Sequence, residues 1–458
     1  MGEPQRALGL QLGSPVRTWR LRLSDGVSKL ASQNVRTVEI APSAGRLAES
    51  LRDIGYEFHT AVADVVDNAI SAGASRVDID IEFDGPDSWV SIADDGQGMS
   101  SAELTEAMRF GTRREYAHFD LGRYGLGLKT ASLSQCRRMS ILSRKSETRR
   151  GISQRTLDLD QVKREDAWIV MKDLRVGRVP HARNRLLVEP GTVVLWEKLD
   201  RVLDFGNPAG GWAKRRVAAL ASRTSAHLGL VFHRFLEGEE SLNQIVITVN
   251  GEKVPAWNPY APNEPHTQVL PQQTFQIEHE TGVGTVRTRG FILPPKSAFS
   301  SPSEWERLSG PDKWNRQQGI YYYRAGRLVR WGGWGGVRAI DEHTKLARMQ
   351  LDFDTVLDDI FHIDVAKMRV VLPSVLKKMA QRPITELCLR AEDVYRKSGD
   401  AAAGEGSRDS KEPHSISNVG LGLKAAAMRL GHSSTLDEII ALACKNDPSL
   451  EQALGVRH

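Results

Sequence analysis

Cysteine is scarce: Cys136, Cys388 and Cys444 are the whole complement of a 458-residue chain. Their scatter argues against a zinc cluster or a disulfide framework, and a reducing cytoplasm suits such a composition. Long apolar runs are missing too, since none approaches the roughly 18 residues needed to span a bilayer. The twelve histidines show no HExxH-type spacing, which argues against a catalytic zinc. Residues 1–50 have arginines at 6, 17, 20 and 22 with few acids. No amphipathic helix or signal segment follows them, so this stretch reads as a flexible arm. Charge of one sign is also limited. A net charge of +5 permits contact with nucleic acid without requiring it. The length allows two to four domains with ample core.

What the chain has is concentrated between residues 57 and 131. The turn GRYGLGLKTAS places Gly122, Gly125, Gly127 and Lys129 just ahead of a helical run. Backbone without β-carbons approaches a phosphate closely, and a helix N-terminus adds unpaired N–H groups and partial positive charge. A glycine turn alone is weak support, and GLGLK recurs at 420–424 as a plain helix start. The surroundings of the first copy differ. Upstream, FHTAVADVVDNAISAGA sets Asp64 and Asn68 four residues apart, both projecting from one face of a half-buried helix. The alternation Val77, Ile79, Ile81, Phe83 predicts a strand with one buried face, and 89–99 supplies its partner. That second strand ends in DDGQGM, where Asp94 precedes Gly96 and Gly98 and the backbone leaves a flat slot.

These three blocks, in this order, resemble the N-box, the DxGxG box and the later glycine box of the Bergerat-fold, or GHKL, ATPases. DDGQGM with GLGLKTAS is most similar to the MutL and MORC-like branch, including bacterial members linked to restriction and defence. PGTVVLWEKLD (190–200) resembles the strand that closes the adenine site. HIDVAKMRVVLP (362–373) resembles the transducer loop whose lysine reaches the γ-phosphate. The resemblance spans about 45 to 395. No nuclease motif of the MutL kind, zinc-finger spacing of the eukaryotic MORC kind or phospho-acceptor histidine domain accompanies it.

The expected fold is α/β (α+β): a Bergerat-fold α/β sandwich over 51–205, then a transducer-like α+β domain over 206–397 and a small helical tail. In the first domain, 100–123 begins with a helix and reads as a lid, and strands are expected at 139–143, 167–172 and 191–199. In the second, a helix is expected over 214–229. Hairpins should turn at Asn250–Gly251 and Ala325–Gly326, strands lie at 284–293 and 349–354, and a long helix from 373 to 397 is interrupted near Pro383. Residues 398–416 have linker composition, and 417–458 should form two short helices. The resemblance casts the arm at 1–50 as a strap over a partner subunit.

The resemblance also implies roles. Asp64 stands where the family holds its water-activating carboxylate, usually Glu. Aspartate is one methylene shorter, and a displacement of about 1 Å costs about a hundredfold in rate. Slow catalysis, or help from Asp67 or Glu57, is therefore expected. Asn68 would bind Mg²⁺, which takes few protein ligands and bridges to phosphates. Asp94 would accept from the adenine amino group with Thr192 in support, Gly96 and Gly98 would shape the slot, and Met99 would pack on the ring. Asp95 reads as a turn residue. Gly122, Gly125, Gly127 and Lys129 would cradle the phosphates, and Lys367 would sense the γ-phosphate. The implied function is an Mg-dependent ATPase acting as an ATP-dimerising clamp in DNA processing or defence, with DNA on basic patches and partner proteins encoded nearby. A chaperone-like protein clamp, a protein kinase and a non-hydrolysing ATP-sensing scaffold are the alternatives. The tryptophans of RWGGWGGV with Arg324, Arg327 and Arg330 read either as a stacking surface for single strands or as a packed aromatic turn.

Overall fold

The computed structural model describes residues 17–19, 40, 42–53, 55–111, 127–145, 151–204, 207, 209–279, 282–362, 370–404, 427 and 433–446. The protein is mixed α/β, and the described residues form two seven-stranded sheets. Residues up to Ser398 form one compact unit and those from Gly399 a second.

The first described elements are a short strand, β1 (Arg17–Trp19), and a helix, α1 (Ala44–Arg52), capped by Ser43. Helix α2 (Phe58–Ser71) carries the first acidic block and buries Ala61, Val62, Val65, Val66 and Ala69. The recurrence of those residues at three- and four-residue steps makes it a helix with a core face. Strands β2 (Arg76–Glu82) and β3 (Trp89–Asp94) pair antiparallel. Val77, Ile79 and Ile81 are all buried, as the alternation predicts. Helix α3 (Ser101–Ala107) is opened by a capping box between Ser100 and Glu103. Then come α4 (Gly127–Gln135), β4 (Arg138–Arg144), β5 (Ser153–Asp158), α5 (Leu159–Glu165), α6 (Val179–Val188) and β6 (Gly191–Glu197). No strand forms at 167–172, which makes one isolated bridge, Thr156 to Met171. Trp168 instead turns toward α3, with its indole N–H on the Met108 carbonyl and its ring 3.9 Å from that of Phe110.

The long helix α7 (Gly211–Val231) and the short α8 (His233–Glu237) precede the hairpin β7 (Val246–Val249) and β8 (Glu252–Lys253). Asn250 and Gly251 turn it with φ of 51° and 81°, the two positive values a type I′ turn requires. Although the hairpin falls within the expected second domain, β7 pairs parallel to β2, and the first sheet runs β5-β4-β6-β3-β2-β7-β8. Asn250 explains the docking. Its side chain accepts from the Ile81 amide at 2.7 Å and donates to the Ile81 carbonyl at 3.1 Å. One face of this sheet packs on α1, α2, α4 and α7, and the other packs Trp89, Leu142, Val193 and Leu195 against α6.

The second sheet is built from β9 (Gln268–Val269), β10 (Gln273–His279), β11 (Gly282–Ile292) and, after α9 (Pro302–Leu308) and α10 (Lys313–Gln317), β12 (Gly319–Arg324), β13 (Arg327–Arg330) and β14 (Ala347–Phe353). Its order is β1-β10-β11-β14-β12-β13, with β9 on β11. Strand β12 is buried on both faces. Ile320 and Tyr322 meet the core under α11 (Ser374–Gly404), while Tyr321 and Tyr323 meet Leu230 of α7. Helix α11 continues through Pro383 where an interruption was expected. A mid-helix proline costs about 3 kcal/mol, and the buried stripe Leu376, Ala380, Ile384, Leu387 and Ala391 outweighs it. In the second unit, α12 (Ser433–Asn446) is helical as expected.

Replacing Asn250 with Ala removes two hydrogen bonds and a residue suited to φ above zero. Thermal or denaturant unfolding should show a loss of about 2 kcal/mol.

Candidate functional site

The N-box helix α2 places Asp64 deep inside, at 3% exposure, while Asn68 one turn on is exposed. Asn68 donates its side-chain amide to the Asp64 carbonyl at 2.9 Å, which leaves its amide oxygen as the atom available to a ligand. Asp64 is faced from two sides. Oδ1 lies 3.6 Å from a guanidinium nitrogen of Arg327 on β13. Oδ2 lies 3.6 Å from where a β-carbon on Gly127 would stand, so the start of α4 comes right up to the carboxylate. Arg327 is fixed by Asp67, whose carboxylate accepts from its Nε at 2.8 Å, both groups being buried. Asp67 is thus engaged by the second sheet. Glu57 caps the far end of α2, seven residues or about 10 Å along the axis from Asp64.

A second set of groups lines the end of the first sheet. Asp94 terminates β3, Thr192 sits directly opposite it on β6, and Ser143 sits directly opposite Thr192 on β4. The three side chains form a row across neighbouring strands. Asp94 accepts from the Gly96 amide at 2.9 Å. Burial pushes its carboxyl up to about 6, with the Gly96 and Thr192 amides opposing the shift. Gly98 has φ of +63°, and a β-carbon there would stand 2.3 Å from the Arg144 carbonyl. Gly191 has φ of +139°, and its β-carbon would stand 1.9 Å from the Asp94 carbonyl. Only glycine lets this loop and the start of β6 press onto the strand ends. Gly96 is also confined, with Asp94 Oδ1 2.9 Å from its hypothetical β-carbon. Met99 packs half-buried on the main core, and its amide donates to Ser143 Oγ at 2.7 Å. Asp95 is a turn residue: it accepts from the Ser75 and Arg76 amides at 2.8 and 2.9 Å.

Lys129 lies in the first turns of α4, buried at 2% exposure. Its ammonium donates to the Ala107 carbonyl at the end of α3 at 2.8 Å and stands 5.8 Å from the Phe110 ring centre. Burial brings its pKa down to about 8, against the opposing pull of Glu106. The expected phosphate ligand is therefore turned toward the base of the segment read as a lid. That base is itself anchored, since Arg155 of β5 bonds Ser101 and Thr105, and Lys145 bonds Glu103. Gly122, Gly125 and Lys367 lie outside the described residues, as does the second half of the segment read as a lid, 112–123.

Two residues were missed in the sequence. Arg327 was read with Arg324 and Arg330 only as a neighbour of the tryptophans, yet Arg324 and Arg327 are buried and Arg330 is exposed. Arg324 pairs with buried Asp358 at 2.8 Å, and Arg330 bonds the Val370 carbonyl. The tryptophans form a packed turn: Trp334 is buried with its indole on Gln318, and Trp331 bonds Asp312. Ser143 carried no signal except its place at the end of a strand, which becomes informative only once the register is known.

A sheet end carrying a half-buried carboxylate, next to a helix with an acid and an amide set against a second helix start, belongs to an α/β domain. Comparison with known proteins agrees. Residues 56–180 match the family described as histidine kinase-, DNA gyrase B-, and HSP90-like ATPase. The chain thus carries a GHKL ATPase domain. It is also similar to "ATPase morc-1" of Caenorhabditis elegans, 33% identical over 86 residues, or 19% of this chain. The match spans 10% of that protein's length.

Because Asp94 takes up its proton near pH 6, its acceptor character is present above that pH and lost below it. Binding of adenosine, which has no phosphate to titrate, should weaken about tenfold between pH 7.5 and pH 5. NMR titration with the ligand checks this, and Asp94→Asn should bind weakly at every pH.

Proposed function

We propose that the chain is an Mg-dependent ATPase of the MutL/MORC-like GHKL type that works as a nucleotide-gated clamp. The observation that carries this reading is the position of Asp64. It is buried between Arg327 and the start of α4, beside the exposed Asn68 amide, where a water attacking a terminal phosphate needs an acceptor. Asp64 orients and deprotonates that water. Asp94 and Thr192 hold the base, Met99 lies against it, and Gly127 with Gly122 and Gly125 approaches the phosphates. Lys129 and Lys367 supply positive charge, Lys129 after leaving the Ala107 carbonyl.

Magnesium fits Asn68. An exposed amide oxygen serves a cation that keeps most of its water and bridges to phosphate. The described residues contain no cluster of three or more histidine, cysteine or acidic ligands, so no protein cage competes. Bound there, the cation would neutralise charge on the phosphates.

The clamp part of the proposal holds that ATP draws two copies together, with the arm at 1–50 as strap, and that DNA is gripped. Helix α7 supports the last point. It has no acid in its 21 residues and exposes Lys214, Arg215, Arg216 and Arg223. Partner proteins and a role in defence or restriction-linked processing complete the reading, in a cytoplasmic setting. A non-hydrolysing scaffold is the second reading, favoured by the short Asp64 side chain.

Phosphate release from Mg-ATP should be slow but measurable in the wild type and absent in Asp64→Asn, while calorimetry shows ATP bound by both. Binding by both proteins with turnover in neither would replace the enzyme with the scaffold. On a sizing column, ATP should shift the protein to the dimer mass and ADP should not. Unchanged elution with both nucleotides would remove the clamp.

A further inference from the structure

We propose that Ser143 is a specificity-determining residue of the nucleotide slot, fixing Thr192 as a hydrogen-bond acceptor and so selecting a purine that presents an exocyclic amino group. The inference rests on the nucleotide reading of the slot and assigns its selectivity to a residue with no role so far.

The argument is one of counting hydrogens. A serine hydroxyl has one hydrogen and two lone pairs. Ser143 is fully buried, so water does not complete its bonding. The Met99 amide donates to Ser143 Oγ at 2.7 Å and occupies one lone pair. The Gly191 carbonyl, 3.0 Å away, has no hydrogen of its own, so this contact uses the hydrogen of Ser143. The remaining contact, to Thr192 Oγ1 at 2.9 Å, must then use the hydrogen of Thr192. Thr192 is left facing its surroundings with lone pairs only. Next to it across the strand pair stands Asp94, an acceptor whenever ionised. The slot is thereby lined with acceptors. An adenine-type edge with amino hydrogens satisfies them, whereas a carbonyl at the same place sets lone pairs against lone pairs and leaves buried groups unpaired.

Ser143 also ties three segments together. Its bonds reach the glycine loop through Met99, the start of β6 through Gly191, and the slot through Thr192. The register that aligns Asp94, Thr192 and Ser143 holds these groups at strand spacing. The slot therefore does not depend on flexible side chains for its polarity.

The test is calorimetric titration of the full chain with ATP and with inosine triphosphate, which carries a carbonyl in place of the amino group. The wild type should prefer ATP by about a hundredfold or more. Ser143→Ala frees the Thr192 hydroxyl to donate, so the preference should drop about tenfold. Ser143→Cys keeps the shape with weaker hydrogen bonding and should fall between. Thermal unfolding accompanies each titration, and if the alanine variant does not fold, the cysteine variant decides by the same criterion. A preference unchanged in a folded variant, or equal loss of both nucleotides, overturns the proposal. Equal binding of both nucleotides by the wild type overturns it while leaving the ATPase reading intact. Binding of neither by the wild type overturns the nucleotide reading itself.

Discussion

A buried guanidinium joins the two halves of the main unit. Arg327 reaches from the β12–β13 hairpin of the second sheet to Asp67 and Asp64 on α2. Charges taken out of water are tolerated only when matched, and removing one member of such a pair typically costs about 3–5 kcal/mol. The arrangement is reinforced rather than isolated. Arg234 on α8 meets Asp352 on β14, with its guanidinium 3.6 Å from the Tyr323 ring centre. Both bridges run from helices packed on the first sheet to strands of the second. A shift of the hairpin therefore cannot leave the acidic face of α2 undisturbed, and the expected base lies on that face.

The sequence revealed what local rules govern. Alternation in β2, the helical spacing of α2 and the positive-φ turns at Asn250–Gly251 and Ala325–Gly326 are short-range choices, and the structure shows each of them. What failed depended on distant partners. Trp168 turns toward Met108 instead of extending a strand, Pro383 is carried by a buried stripe, and β7 joins β2 across more than a hundred and fifty residues. No propensity encodes these. The same division applies to the candidate site. Asp64, Asn68 and Asp94 were visible because glycines and acids cluster in a short stretch. Arg327 and Ser143 were not, because a buried arginine looks like a surface one until its partner is known, and a serine at a strand end looks like any other.

The slot is made as much from backbone as from side chains. Gly98 and Gly191 take conformations that other residues adopt only with strain, and each lies where a β-carbon would strike a carbonyl. These close approaches bring the Asp94 carboxylate, the Met99 amide and the β6 start into one small volume. Burial then raises the Asp94 carboxyl, so the polarity of the slot follows from its tightness.

Helix α7 has a consequence for how the chain can be divided. It covers the first sheet with Val217 and Leu228 and lends Leu230 to the tyrosines of the second, while the β7 strand that follows completes the edge beside β2. A fragment ending near residue 205 would keep every nucleotide motif of the first block yet lose the cover over α2 and uncover the unpaired backbone of β2. Such an open edge invites pairing with other chains. A fragment that folds alone must therefore extend through Lys253, well past Thr192 on β6.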